Sequence, residues 1–204
     1  MLAELKTKLS YQASLLAIVA LLASAILGYA NKETHEVIKQ RLAEDLKASL
    51  EEVIPANYYD NDLLQDTLNL VNQKGTDTKI YLARKDGKVT AVAFMQIATG
   101  GYSGDISLML GIDKDGNILG VRTIAHAETP GLGDKIEVKK SNWILSFNTY
   151  SLENLTEKQW GVKKDGGIFD AFSGATITPR AVVKAVHLGL EFFKEHKAEL
   201  ISIK

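Results

Sequence analysis

The chain has 204 residues, of which 46% are hydrophobic and 24% charged, with a formal net charge of -1; this is the balance of one globular domain plus an appendage. So balanced a charge argues against a polyanion partner, and nucleic acid is not expected. Cysteine is absent, which excludes disulfides, thiolate-held iron–sulfur clusters and haem attachment through cysteine.

The first element is apolar. Residues 13–30 read ASLLAIVALLASAILGYA without one charged side chain, long enough for a membrane-spanning helix, which needs roughly 17–25 residues. Ala23-Ser24-Ala25 resembles a signal-cleavage site, but the run exceeds the usual apolar core of about 7–15 residues in a cleaved peptide, so an uncleaved anchor is expected. No lipobox cysteine is present, so a lipid-modified N-terminus is not expected. Lys6 and Lys8 precede the span, and Lys32, Lys39 and Arg41 follow it. Long domains translocate largely regardless of charge, so we expect the tail in the cytoplasm and the domain outside.

Residues 33–53 carry Val37, Leu42, Leu46, Leu50 and Val53 at helical spacing among charges, and Pro55 ends the run. This predicts a helix that continues from the span as a stalk and packs one apolar stripe on the domain. Two hairpins follow. KIYLAR turns through Lys85-Asp86-Gly87-Lys88 into KVTAVAFMQIA, and DISLMLGI turns through Lys114-Asp115-Gly116-Asn117 into ILGVRTIAH. Four strands followed by helical segments predict an α+β fold with a mostly antiparallel sheet and flanking helices. The expected organisation is 1–31 tail and transmembrane anchor, 32–55 stalk helix, and 56–204 globular domain. The last element, PRAVVKAVHLGLEFFKEHKAEL, sets Val182, Val186, Leu190 and Phe193 on one stripe joined by Val183. Pro179 suits the first helical position and Thr178 the cap before it.

Candidate chemistry gathers just upstream, in DAFSGATITPRAV, residues 170–182. Ser173 and Thr176 flank the small Gly174 and Ala175, so another group can approach this backbone closely. A helix start lies downstream, and its unpaired amides attract anions, phosphate above all; Arg180 in that turn adds charge. Three readings stay open from the residues alone: capping, attachment of a phosphate-bearing ligand at Thr176, and a nucleophilic Ser173. The last lacks the Gly-x-Ser-x-Gly elbow, though His126 or His187 could be named as its base. The histidines, His35, His126, His187 and His196, show no metal-ligand spacing, so no metal is expected. Trp143 and Trp160 read as core or interface residues, and His126 as a satisfied loop histidine.

Asp170-Ala171-Phe172-Ser173-Gly174-Ala175-Thr176 resembles the flavinylation signature Asp-x-x-Ser/Thr-Gly-Ala-Thr of covalent-FMN domains. HAETPGLGDKIE, residues 126–137, is similar to a second hallmark of that family. With the single N-terminal span and GGYSG at 100–104, the chain resembles the G subunits of Rnf/Rsx electron-transport complexes. Their relatives are the C subunits of sodium-pumping NADH:quinone oxidoreductases.

The resemblance implies an FMN-binding domain over 56–204. It implies FMN held by a phosphoester to Thr176, installed by a separate flavin transferase that reads Asp170. Ser173, Gly174, Ala175, Thr178 and Arg180 then belong to the cofactor site. The Thr129-Pro130-Gly131-Leu132-Gly133 loop is the expected flavin pocket: Gly131 and Gly133 admit backbone amides, Leu132 covers a ring face and Glu128 orients the loop. From the residues alone the same loop reads equally as a tight turn between strand and helix. Gly100, Gly101 and Tyr102 are further positions, with Tyr102 a stacking group. The implied function is a membrane-anchored electron carrier, a subunit of an ion-translocating complex rather than a stand-alone enzyme, with no catalytic residue of its own. The implied setting is a bacterial inner membrane, with the domain on the periplasmic side and the other complex subunits as partners. Tethering raises the effective concentration of a cofactor that would otherwise be lost by dilution outside the cytoplasm. The alternatives are an anchored assembly module without redox activity and an anchored hydrolase using Ser173.

Overall fold

The structure is a computed structural model and describes residues 9–71 and 77–203. The described residues fall into two compact units that divide between Asp45 and Leu46. Lys6 and Lys8, on which the expected orientation draws, lie outside the described residues.

Helix α1, Leu9–Val53, supplies the whole first unit. It is long and apolar enough to cross a membrane. Leu15, Leu16, Leu21, Leu22, Ile26 and Leu27 are all exposed, a surface that water disfavours and hydrocarbon accepts. Val37 and Leu42, expected on a packing stripe, are exposed as well. Only the last part of that stripe packs: in the second unit Leu50 and Val53 are fully buried and Leu46 is partly so. The helix ends at Val53, two residues before Pro55.

The second unit is α+β, built on a five-stranded antiparallel meander in the order β1-β2-β3-β4-β5. Its strands are β1 Thr67–Val71, β2 Asp77–Lys85, β3 Lys88–Ala98, β4 Ile106–Asp113 and β5 Ile118–Ala125. The sequence pattern predicts only the last four. The five residues of β1 become a strand by pairing along β2, with Leu68 opposite Ile80 and Leu70 opposite Thr78. Both expected turns form. Asp86 and Gly87 take φ of 52° and 73°, the left-handed pair that a two-residue hairpin needs. In the second turn Asp113 Oδ1 accepts the amides of Asp115, Gly116 and Asn117 at 2.9, 2.8 and 2.9 Å.

Alternation along the strands loads both faces. One face presents Ile80, Leu82, Val92, Phe94, Leu108 and Leu110 to helix α2, Ile177–Ser202, which buries Val182, Val183, Val186, Leu190 and Phe193. The other presents Tyr81, Ala83, Ala91, Ala93 and Met109 to Leu50, Val53, Ile54 and Leu63. Between β5 and α2 the chain runs through short 3-10 turns at Gly133–Ile136, Asn142–Phe147, Glu157–Gln159 and Lys163–Asp165. These wrap an aromatic cluster: Trp143 meets Phe172 edge-on at 5.0 Å, and Phe147 stacks on Phe169 at 4.5 Å.

The start of α2 differs from expectation by two residues. The helix begins at Ile177, and Thr176, not Thr178, holds the cap position. Pro179 is therefore the third helical residue, still within the first turn, where no intrahelical N–H bond is lost. Thr178 is turned inward and fully buried, because its hydroxyl has a better partner than its own backbone.

Candidate functional site around Thr176

That partner is Glu128. The Thr178 hydroxyl donates to Glu128 Oε2, so the side chain expected to cap a helix instead closes a long-range contact. Thr176, two residues earlier, is half-buried and its side chain makes no capping hydrogen bond. Of the two threonines, one hydroxyl is sealed and the other is spare, with no hydrogen-bond partner among the described residues. Ser173 is exposed in the turn that pairs Phe172 with Ala175.

Trp143 fixes the segment from below. Its indole Nε1 donates to the Asp170 carbonyl at 2.8 Å while its ring meets Phe172. The Asp170 carboxylate stays exposed and pairs with Lys163 Nζ at 2.7 Å. The Asp170 side chain therefore faces solvent while its backbone is held. Neither contact is legible in the sequence, where Trp143 carries only a core signature.

The structure brings together the three glycine-bearing loops that the sequence singles out. Glu128 Oε1 accepts the Ser103 amide at 3.1 Å, which ties GGYSG to the residue before Thr129. A Cβ on Gly101 would stand 2.8 Å from Glu128 Oε1, and one on Gly133 would stand 2.5 Å from Oε2. Both positions are shut against the carboxylate. Gly174, at φ 78°, faces Leu132, whose Cδ2 lies 3.6 Å from where a Cβ would be. The Thr129–Gly133 loop thus abuts the Ser173–Thr176 loop. Leu132 is 42% exposed and Tyr102 71% exposed, leaving two apolar side chains uncovered at this end of the sheet. Thr129, Pro130 and Gly131 lie in a loop that leads into the 3-10 turn Gly133–Ile136 rather than into a helix, with Pro130 and Gly131 exposed.

His126 secures Glu128 from behind. Its Nδ1 accepts the Glu128 amide at 3.0 Å, which leaves Nε2 to donate to Glu137 Oε1 at 3.0 Å. Arg180 does not turn toward the spare hydroxyl. It makes a two-pronged pair with Asp165 at 2.6 and 2.7 Å. The hydrogen bond from Arg180 holds the Asp165 carboxyl below its usual range, with the charges of Arg180 and Lys164 adding to it. Among the described residues no group of His, Asp and Glu is arranged to hold a metal ion.

A family model described as the FMN-binding domain matches residues 101–191, which take in Thr176 and nearly all of the three loops. The G subunit of the ion-translocating oxidoreductase complex of Shewanella oneidensis is 45% identical over 192 residues, covering 92% of this chain and 91% of that one. The chain belongs to the G-subunit family of ion-translocating oxidoreductase complexes. The G subunit of Stutzerimonas stutzeri is 47% identical over 187 residues, covering 92% of this chain and 82% of its own. A crystal structure of the C subunit of Na(+)-translocating NADH-quinone reductase from Parabacteroides distasonis is also similar, at 18% identity and a TM-score of 0.41, over 71% of this chain and 69% of that one, a likeness too slight to build on.

The site of this G-subunit family member fits FMN on its own geometry. Gly131 takes a φ of 80° with nothing within 4 Å of a Cβ position, so backbone is bare to an incoming group. A hydroxyl that caps nothing stands at the start of a 26-residue helix, where unpaired amides and the helix dipole favour a phosphate.

Proposed function

We propose that this chain is the membrane-anchored flavoprotein subunit of an ion-translocating oxidoreductase complex, carrying electrons on FMN esterified to Thr176. The spare Thr176 hydroxyl at the head of α2 carries this reading, supported by the FMN-binding family match over residues 101–191. When bound, the isoalloxazine ring supplies reversible uptake and release of electrons.

The chain's own residues bind and orient. The Thr176 oxygen forms the phosphoester, and the first-turn amides of α2 take the phosphate charge. Pro179 offers no N–H, so those amides are the ones before it, of Thr176, Ile177 and Thr178. Gly174, Ala175, Thr129, Gly131 and Gly133 line the approach, and Leu132 covers an apolar face. Ser173 is a solvent-facing neighbour rather than a nucleophile; no histidine bonds to it among the described residues. Arg180 adds its charge to the first turn, while its guanidinium is held by Asp165. Asp170 is the exposed carboxylate that a flavin transferase reads. α1 anchors the chain, with the domain on the outer, periplasmic face of a bacterial inner membrane and the other complex subunits as partners. The organisation is an anchor to residue 31, a connecting helix to 55, and the flavin domain beyond.

The test is co-expression with a flavin transferase, followed by a denaturing gel under ultraviolet light and intact mass. The wild type gives a fluorescent band whose mass exceeds the polypeptide by one FMN less water. Thr176→Val gives a dark band, while Ser173→Ala and Thr178→Ser stay fluorescent. A wild-type chain of bare mass beside an active transferase would leave only an anchored assembly subunit.

A further inference from the structure

Three stretches far apart in sequence meet at one buried side chain. Glu128 is 5% exposed. It accepts from the Ser103 amide, 25 residues before it, and from the Thr178 hydroxyl, 50 residues after it. A Cβ on Gly133 would collide with Glu128 Oε2 at 2.5 Å and with Thr178 Oγ1 at 2.9 Å, so the third stretch is packed on the contact itself. His126 holds the Glu128 amide from the other side. Both of these donors to the carboxylate are neutral. Among the described residues no cation pairs with this carboxylate; burying it so is costly, and packing alone would be met by an apolar residue of similar size.

The geometry has a direct consequence for Thr176. Thr178 lies in the first turn of α2, and Thr176 is the residue on which that turn begins. Whatever fixes the Thr178 side chain fixes the first turn, and with it the Thr176 hydroxyl. We infer that Glu128 is a positioning residue: gripping Thr178 on one oxygen and the Ser103 amide on the other, it holds the Thr176 acceptor in register with the glycine loops at 100–104 and 129–133. The role assigned to that register rests on the reading of Thr176 as the FMN acceptor. The grip itself does not.

The experiment uses the full-length chain in detergent, wild type against Glu128→Met, Thr178→Val, Thr178→Ser and the Glu128→Met/Thr178→Val double variant. Methionine keeps the length of the side chain and removes both acceptor oxygens. Valine keeps the shape and removes the hydroxyl, and serine keeps the hydroxyl. Amide hydrogen exchange is read on unflavinylated protein, and the initial rate of flavin attachment is read with purified transferase. Glu128→Met speeds exchange at Ser103, Arg180 and Ala181 about tenfold, the factor that loss of one buried hydrogen bond gives, and leaves β3 and β4 unchanged. Glu128→Met and Thr178→Val each slow attachment about tenfold, the double variant slows it no further, and Thr178→Ser stays within about twofold of wild type.

Wild-type exchange and attachment in both single variants overturn the inference. So does loosened exchange with unchanged attachment, which makes Glu128 a stabilising residue only. So does a multiplicative, roughly hundredfold loss in the double variant, which means that the two residues act separately. If the wild type takes no flavin at Thr176, the proposed function fails by itself, and the exchange comparison still decides whether Glu128 grips the turn.

Discussion

Gly111 and Gly120 stand opposite one another on β4 and β5, and the backbone of Val53 lies against both. A Cβ on Gly120 would sit 2.9 Å from Val53 Cα, and one on Gly111 would strike the Val53 carbonyl. Helical backbone, not side chain, is what seats here. Gly111→Ala forces the end of α1 off the sheet and is expected to destabilise the second unit by about 1–3 kcal/mol. Urea unfolding checks this: the midpoint falls while the slope stays constant. An unchanged midpoint means that Val53 is not seated on the glycine pair.

Trp143 provides a second test. In Trp143→Phe the aromatic contacts with Phe147 and Phe172 are largely retained, but the Asp170 carbonyl loses the indole donor. Leaving that carbonyl unsatisfied costs about 1–2 kcal/mol. The loss is expected as faster amide exchange confined to residues 170–176, with β2–β4 unaffected. Uniform loosening of the sheet would show instead that Trp143 acts only as core.

Much of this fold is legible in the sequence because its signals are local. The Asp86-Gly87 and Asp115-Gly116 turns, the alternation in β2–β5 and the stripe of α2 each specify themselves within about ten residues. What stays hidden depends on contacts between distant positions. β1 is a strand only because β2 is beside it. Thr178 has the composition of a cap, and nothing within the helix start shows that Glu128, 50 residues earlier, claims its hydroxyl. Arg180 reads as a spare charge until Asp165 is placed beside it. The stripe of 33–53 has a helical period, but period alone does not tell which turns meet a partner; Leu50 does and Leu42 does not.

The Asp165–Arg180 pair gives a pH dependence of known sign. The hydrogen bond from Arg180 depresses the Asp165 pKa in the folded chain. A carboxyl with a depressed folded pKa contributes stability above its unfolded pKa, near ~4, and loses it as pH falls through the lower, folded value. Both groups are exposed, so the contribution is screened by salt. A carboxyl-resonance titration is expected to give Asp165 a midpoint below an ordinary aspartate, returning to the ordinary range in Arg180→Ala. An ordinary midpoint in the wild type would show that the pair does not persist in solution.

The apolar surface of α1 is tested by charge. Leu21 and Leu22 are 70% and 60% exposed, in the middle of the uncharged run. One arginine at the centre of a span costs about 2.5–3.5 kcal/mol for insertion. The wild type is expected to stay with membranes through carbonate extraction, and the Leu21→Arg/Leu22→Arg double variant to appear in the soluble fraction. Retention of the double variant would mean that α1 is not what holds the chain to the bilayer.

Trp143 touches the segment before Thr176 through Asp170 and Phe172, whereas Trp160 packs on His187 and Phe169. The chain has two indoles in all. If FMN is carried at Thr176 as proposed, it absorbs where indoles emit, and Trp143 emission is expected to fall as the cofactor is installed. Indole emission then gauges maturation without a label, in any preparation from which free flavin has been washed away.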